Sequence, residues 1–74
     1  MRYLVVVEDA ASSFGTYVPD LPGCVAVASS RDEVMQLIHE AIELHLEDHR
    51  EQGLAVPAPY SSSELVEVHR YASH

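Results

Sequence analysis

The chain has 74 residues, of which 47% are hydrophobic and 22% are charged, a composition typical of one folded domain rather than a disordered segment. Its formal net charge is −8 and its four basic residues are scattered arginines, so direct binding to nucleic acid is not expected. One cysteine allows no internal disulfide, and no apolar run approaches the roughly 20 residues of a membrane span. We therefore expect a single cytoplasmic domain over residues 1–74 with no membrane contact.

The first 28 residues contain three short runs that predict β-strands. Each run is rich in β-branched, aromatic or small apolar residues, and polar or turn-forming segments separate them. The runs are Tyr3–Val7, Phe14–Val18 and Cys24–Ala28. Because the connections are short, the three strands are predicted to form an antiparallel meander.

The second connection, PDLPGC, has the composition of a turn. It comprises Pro19, Asp20, Leu21, Pro22, Gly23 and Cys24. The prolines fix φ and the glycine permits positive φ, so the chain is predicted to reverse here. Neither neighbour of Cys24 is a base or a cation that would lower its thiol pKa. This favours a buried packing role for the cysteine over a nucleophilic one.

A helix is predicted from Arg31 to Gln52. Ser30 and Glu33 have the spacing of a capping box, and Gly53 supplies a stop signal. Between them, apolar residues recur at helical spacing: Val34, Leu37, Ile38, Ala41, Ile42 and Leu44 to Leu46. After a connector rich in proline and serine, Leu65–Tyr71 has the propensity of a fourth strand. The predicted fold class is α+β, with the order βββαβ.

Two sets of residues suggest chemistry, and both have simpler explanations. Four aspartates could form a metal-dependent nuclease site: Asp9, Asp20, Asp32 and Asp48. They are predicted to lie in a hairpin loop, a turn, a helix cap and the end of a helix, respectively, so solvated acids are the favoured interpretation. His45 and His49 have the i, i+4 spacing of a metal pair, yet the intervening Leu-Glu-Asp does not match HExxH. We predict packed or interface histidines, and no catalytic residue, metal ligand or cofactor.

The stretch YVPDLPGCVAVASSRDEVMQLIHEAIELHLED resembles the HicB-like antitoxin family, which typically shows a PDLPGC-type turn, a short strand and a capped helix with an Ala-Ile-Glu-aliphatic run. The resemblance covers about Tyr3 to Pro59. It implies a partial RNase H-like fold without the nuclease active site. It also implies an antitoxin, or a solitary relative, that binds and neutralises a small basic HicA-type toxin, an mRNA-cleaving protein, by covering its surface. The DNA-binding domain that many family members carry at the C-terminus is not expected within these residues.

Three hypotheses for function follow. The first is the interaction protein that the resemblance implies. The second is a divergent RNase H-type nuclease that uses the dispersed aspartates with a divalent metal. The third is a regulatory or scaffolding module with a ligand or metal site at His45 and His49. The first is preferred because no convergent set of carboxylates or ligands is apparent in the sequence.

An oligomer is also predicted, because both faces of the first strand are apolar. Tyr3, Val5 and Val7 point to one face while Leu4 and Val6 point to the other, and a single helix covers only one. A homodimer or higher symmetric assembly would cover the second face. The candidate interface residues are Leu4, Val6, Val66, Val68 and Tyr71.

Overall fold

The computed structural model of the chain describes residues 1–69. It shows three antiparallel strands followed by one helix: β1 at Val6–Asp9, β2 at Phe14–Tyr17, β3 at Val25–Ala28 and α1 at Arg31–Glu51. The strand order β1-β2-β3 is that of a meander. The α+β prediction is therefore confirmed, with its βββα part matched element by element.

The strands are shorter than the apolar runs that predict them. Strand β1 begins at Val6 instead of Tyr3, because Val6 pairs with Tyr17, the last residue of β2, and the residues before it have no partner there. Val18 and Cys24 belong to the reversal between β2 and β3, where the Val18 N–H donates to the Cys24 carbonyl at 3.2 Å. Strand length is thus limited by the partner strand and not by propensity alone.

Both ends of α1 carry the caps that the sequence predicts, except that the Glu33 side chain bonds to Ser29 and not to the Ser30 backbone. The Ser30 hydroxyl oxygen accepts the Glu33 N–H at 3.1 Å, while the Glu33 carboxylate accepts from the Ser29 hydroxyl at 3.3 Å. At the other end, the Leu54 N–H donates to the His49 carbonyl, the Gly53 N–H donates to the Arg50 carbonyl, and Gly53 has a φ of 72°. This is a Schellman motif, in which a left-handed glycine ends the helix.

Helix α1 packs against β3 and β2, and the core lies between them. The buried cluster contains Val18, Leu21, Cys24 and Ile38, and partly buried apolar residues from the N-terminal segment and the middle of α1 surround it. Val34 is also fully buried. Leu44, which the sequence analysis places on the apolar side of the helix, is 68% exposed. At 100° per residue it lies about 120° around the helix from Ile38, so it points away from the sheet.

Residues 54–61, which we call the connector, return from the helix to the sheet. The Tyr3 hydroxyl donates a hydrogen bond to the Pro57 carbonyl, and the backbone N–H groups of Tyr60 and Ser61 bond to Asp20. The connector therefore joins the N-terminal segment to the turn between β2 and β3. Long-range hydrogen bonds hold a segment that has no secondary structure of its own.

The predicted fourth strand, Leu65–Tyr71, is not formed in residues 65–69, and Arg70 and Tyr71 lie outside the described residues. Residues 62–69, which we call the arm, are all exposed. A strand needs a neighbouring strand to pair its backbone groups, and the arm has none within the described part of this single chain. Its β-propensity is therefore not realised there.

Candidate protein interaction surface

Within residues 1–69, one face of the sheet has no covering layer. Val6 lies opposite Tyr17, Tyr17 lies opposite Val25, and residues directly across a ladder share a face. Val27 lies on the same side, two residues along β3, whereas α1 packs on the other side. Tyr17, Val25 and Val27 are 40%, 63% and 68% exposed. We call this surface the open face; it consists of Leu4, Val6, Tyr17, Val25 and Val27.

The predicted interface residues divide between the open face and the arm. Leu4 and Val6 lie on the open face and are half-buried, while Val66 and Val68 lie on the arm and are 79% and 74% exposed. Tyr71 lies outside the described residues. Because the arm is not paired with the sheet, these residues do not form one continuous surface within a single chain.

A second exposed surface is acidic and lies on α1. The helix contains seven of the twelve acidic residues of the chain: Asp32, Glu33, Glu40, Glu43, Glu47, Asp48 and Glu51. Glu40, Glu43 and Glu47 surround the exposed side chain of Leu44 in a shallow hollow, whose other lining residues are Leu46 and Arg50. We call the three glutamates and Leu44 the acidic face. Three glutamates against the single cation Arg50 leave the hollow net negative around the exposed Leu44, an arrangement suited to a basic protein partner.

The PDLPGC segment folds as two successive β-turns. The Leu21 N–H donates to the Val18 carbonyl and the Cys24 N–H donates to the Leu21 carbonyl, both at 3.1 Å. In the second turn Pro22 and Gly23 are the central residues, and Gly23 has a φ of 87°. Proline followed by a left-handed glycine is the pattern of a type II turn. The reversal brings Leu21, which is fully buried, into the core beneath α1.

Asp20 is buried, which corrects the expectation of a solvated acid. It is 4% exposed and accepts the Tyr60 and Ser61 N–H groups at 2.9 Å and the Ser61 hydroxyl at 2.6 Å. Burial raises the pKa of this carboxyl, but the hydrogen bonds from Ser61 and Tyr60 outweigh it and leave the pKa below its ordinary value of 3.8. No local spacing signals a contact across 41 residues, so these hydrogen bonds are not predictable from the sequence pattern.

Cys24 lies in the core and not at a reactive surface. It is 4% exposed, and burial raises the pKa of its thiol above the ordinary value. The thiol is therefore protonated near neutral pH, and the thiolate that nucleophilic chemistry needs is scarce.

The two other candidate sets, the histidine pair and the four aspartates, do not form a metal site within residues 1–69. His45 and His49 are half-buried with ring centroids 4.5 Å apart, and the His49 Nδ1–H donates to the His45 carbonyl at 3.1 Å. Within residues 1–69, no group of three or more His, Cys, Asp or Glu side chains could hold a metal ion together. The aspartates proposed for the nuclease alternative therefore do not converge, and Asp20 is committed to the connector.

In the described part of the chain, no helix combines the length and the apolar character that a membrane crossing requires. Helix α1 has 21 residues, but seven of them are acidic.

Comparison with known proteins agrees with this picture of a small interaction domain. Residues 3–74 match the family model described as the HicB_like antitoxin of bacterial toxin-antitoxin system. A UPF0150 protein of Archaeoglobus fulgidus is 46% identical over 48 residues, which cover 64% of this chain and 70% of that protein. A UPF0150 protein of Helicobacter pylori is 40% identical over 50 residues, covering 68% and 69%. No solved structure matches the chain significantly.

Proposed function

This chain belongs to the HicB-like antitoxin family, and we propose that it binds a small basic HicA-type toxin and blocks its mRNA-cleaving activity by covering the toxin's RNA-binding surface. The family is one of antitoxins in toxin–antitoxin systems and not of enzymes. What we propose beyond family membership is the kind of toxin and the surface of this chain that contacts it. Since the toxin would act on mRNA, the complex belongs in the cytoplasm.

The observation that carries the proposal is the acidic face of α1. A protein that binds RNA presents basic residues to the phosphates, and an acidic surface can occupy the same residues. Glu40, Glu43 and Glu47 would pair with such basic residues, while the exposed Leu44 would fill an apolar contact at the centre. Inhibition of this kind requires complementary surfaces and no catalytic group on the antitoxin.

The experiment measures inhibition of RNA cleavage by a small basic HicA-type toxin. The double variant Glu40→Lys with Glu47→Lys should weaken inhibition by about 100-fold or more, because two attractive contacts become repulsive. The matched control, Glu8→Lys with Asp9→Lys, makes the same change in net charge at the end of β1, away from the acidic face. Equal loss of inhibition in both variants would mean that net charge, and not the acidic face, determines binding.

We further propose that the chain assembles as a homodimer or a higher symmetric oligomer that covers the open face or extends the sheet. Support comes from the exposed Tyr17, Val25 and Val27 and from the small size of the domain, which limits how much surface one chain buries. Light scattering after size exclusion at micromolar concentration should give a mass above that of one chain. A mass of one chain would refute the assembly without bearing on toxin binding.

A further inference from the structure

A groove lies between α1 and the N-terminal segment that leads into β1. The N-terminal segment supplies Arg2, Tyr3 and Val5 to one wall, and α1 supplies Met35, His39 and Ile42 to the other. It encloses about 430 Å³ and its surface is mainly apolar. We call it the edge groove. Helix α1 packs on β3 and β2, so the groove is left open beside the segment that precedes β1.

The outer edge of β1, which follows the groove-lining segment along the chain, is also unpaired in the described residues. In the described residues β1 pairs with β2 alone, so the N–H and C=O groups on its outer side have no strand partner. Unpaired edges of this kind accept an added strand readily. The groove and the edge together form a site for an extended segment that carries apolar side chains on one side.

The arm has the features of such a segment. Side chains alternate along an extended chain, so Val66 and Val68 share one side while Leu65 and Glu67 share the other. Leu65, Val66 and Val68 are 101%, 79% and 74% exposed, and none of them is in the core. In the described part of each copy, an apolar segment is thus left without a sheet and a sheet edge without a neighbour.

The path of the connector determines where the arm begins. The connector contacts Tyr3 through Pro57 and then crosses to Asp20 through Tyr60 and Ser61. Tyr3 precedes β1, whereas Asp20 lies in the turn between β2 and β3. The arm therefore begins beside the turn between β2 and β3 and stays exposed and unpaired in its own chain, so a second copy is the better source of a strand for the β1 edge.

We propose that the arm of one copy adds as a fourth strand to the β1 edge of a second copy, with Val66 and Val68 in the edge groove. Leu65 would then extend the open face on the other side of the sheet. Arg2 lines the groove and could face Glu64 of the arm, whereas the charge of His39 is paired within the groove by Glu43, 3.9 Å away. Two copies exchange arms reciprocally, as two-fold symmetry requires. This inference rests on the proposed homo-oligomer and names the contact that forms it.

The first test compares two charged double variants by light scattering at micromolar concentration. Val66→Glu with Val68→Glu should reduce the mass to one chain, because burying two carboxylates in an apolar groove is unfavourable. The matched control, Val25→Glu with Val27→Glu, changes the open face by the same charge and should leave the assembly intact. The arm lies outside the core, and circular dichroism of each variant verifies that it is folded.

The second test shows which chain supplies the arm. In a Cys24→Ala background, Val68→Cys and Met35→Cys are placed in separate chains of different tag length, which are mixed and mildly oxidised. A disulfide between the two chains, absent when either partner lacks its cysteine, supports arm exchange. In the chain that carries both cysteines, a disulfide closed within one chain at any dilution would overturn it.

The outcomes separate this inference from the proposals on which it rests. A wild-type oligomer that survives Val66→Glu with Val68→Glu but dissociates with Val25→Glu and Val27→Glu overturns arm exchange and assigns assembly to the open face. A wild-type monomer overturns both assembly proposals. Toxin inhibition is measured separately, so its failure leaves the result for the arm unchanged.

Discussion

At the scale of single residues, Asp20 links the turn to the C-terminal part of the chain. Its carboxylate accepts three hydrogen bonds from Tyr60 and Ser61 while it is almost completely buried. A buried carboxylate without partners would be unfavourable, and these donors supply what water provided in the unfolded chain. The connector is thus held by one side chain of the turn, which also positions the start of the arm.

The pH dependence of stability should reveal how much the hydrogen bonds from Tyr60 and Ser61 to Asp20 contribute. In the folded chain the pKa of Asp20 lies below 3.8, so its stabilising effect is fully present above that pH and is lost as pH falls through the lower folded value. Asp20→Asn should therefore lower Tm by roughly 5 °C at pH 7. Below pH 3.8 the difference from wild type should shrink.

Thermal unfolding between about pH 7 and pH 2 measures this difference. Asp9→Asn is the matched control, since Asp9 is exposed at the end of β1. It removes the same charge and should change Tm little. If the difference in Tm between wild type and Asp20→Asn stayed constant over the whole pH range, the stabilising effect of Asp20 would not depend on the charge of its carboxylate.

At the scale of elements, the second β-turn determines how β3 returns beneath α1. Gly23 is one of two glycines with positive φ, and no heavy atom lies within 4 Å of the position where a Cβ would stand. Backbone conformation, and not lack of space, therefore requires glycine here. Pro22 before it presets the other half of the turn.

Replacing Gly23 by alanine should lower the free energy of unfolding by about 1–2 kcal/mol, the cost of placing an L-residue in the left-handed region. Gly15→Ala is the matched control, because Gly15 lies in β2 without a positive φ and also has nothing within 4 Å of a Cβ. Its effect should stay within about 0.5 kcal/mol. Urea denaturation of both variants measures the difference, and equal effects would refute the conformational explanation.

At the scale of the whole molecule, the net charge of −8 and its concentration on α1 should govern encounters with a basic partner. Long-range attraction increases the association rate, and salt weakens it by shortening the Debye length from about 10 Å at 0.1 M to about 3 Å at 1 M. The residues of the open face are uncharged and should contribute contacts that depend less on salt.

The association rate with the toxin should therefore fall by about 10-fold or more as salt rises from about 0.1 to 1 M. Stopped-flow fluorescence over this range measures the rate. In Glu40→Lys with Glu47→Lys the rate at low salt should already be reduced and the salt dependence should be flatter. An association rate that does not change with salt in the wild-type chain would contradict electrostatic steering.

The local elements could be predicted from the sequence because their causes are local. Pro22 and Gly23 define a turn, Ser30 caps the helix through Glu33, Gly53 ends it, and the apolar spacing of Val34 and Ile38 marks the buried side. Each of these depends on conformational preference or on neighbours within one helical turn. The family resemblance rests on the same local residues.

Three features depended on tertiary structure. The start of β1 at Val6 follows from where β2 ends, and the burial of Asp20 follows from hydrogen bonds to residues 40 and 41 positions away. The unpaired state of residues 65–69 follows from the absence of a neighbouring strand in the described chain. Composition and spacing determine which segments can form a helix or a strand. Which backbone groups find partners depends on the path of the whole chain, because a hydrogen bond or a strand pair needs two segments brought together.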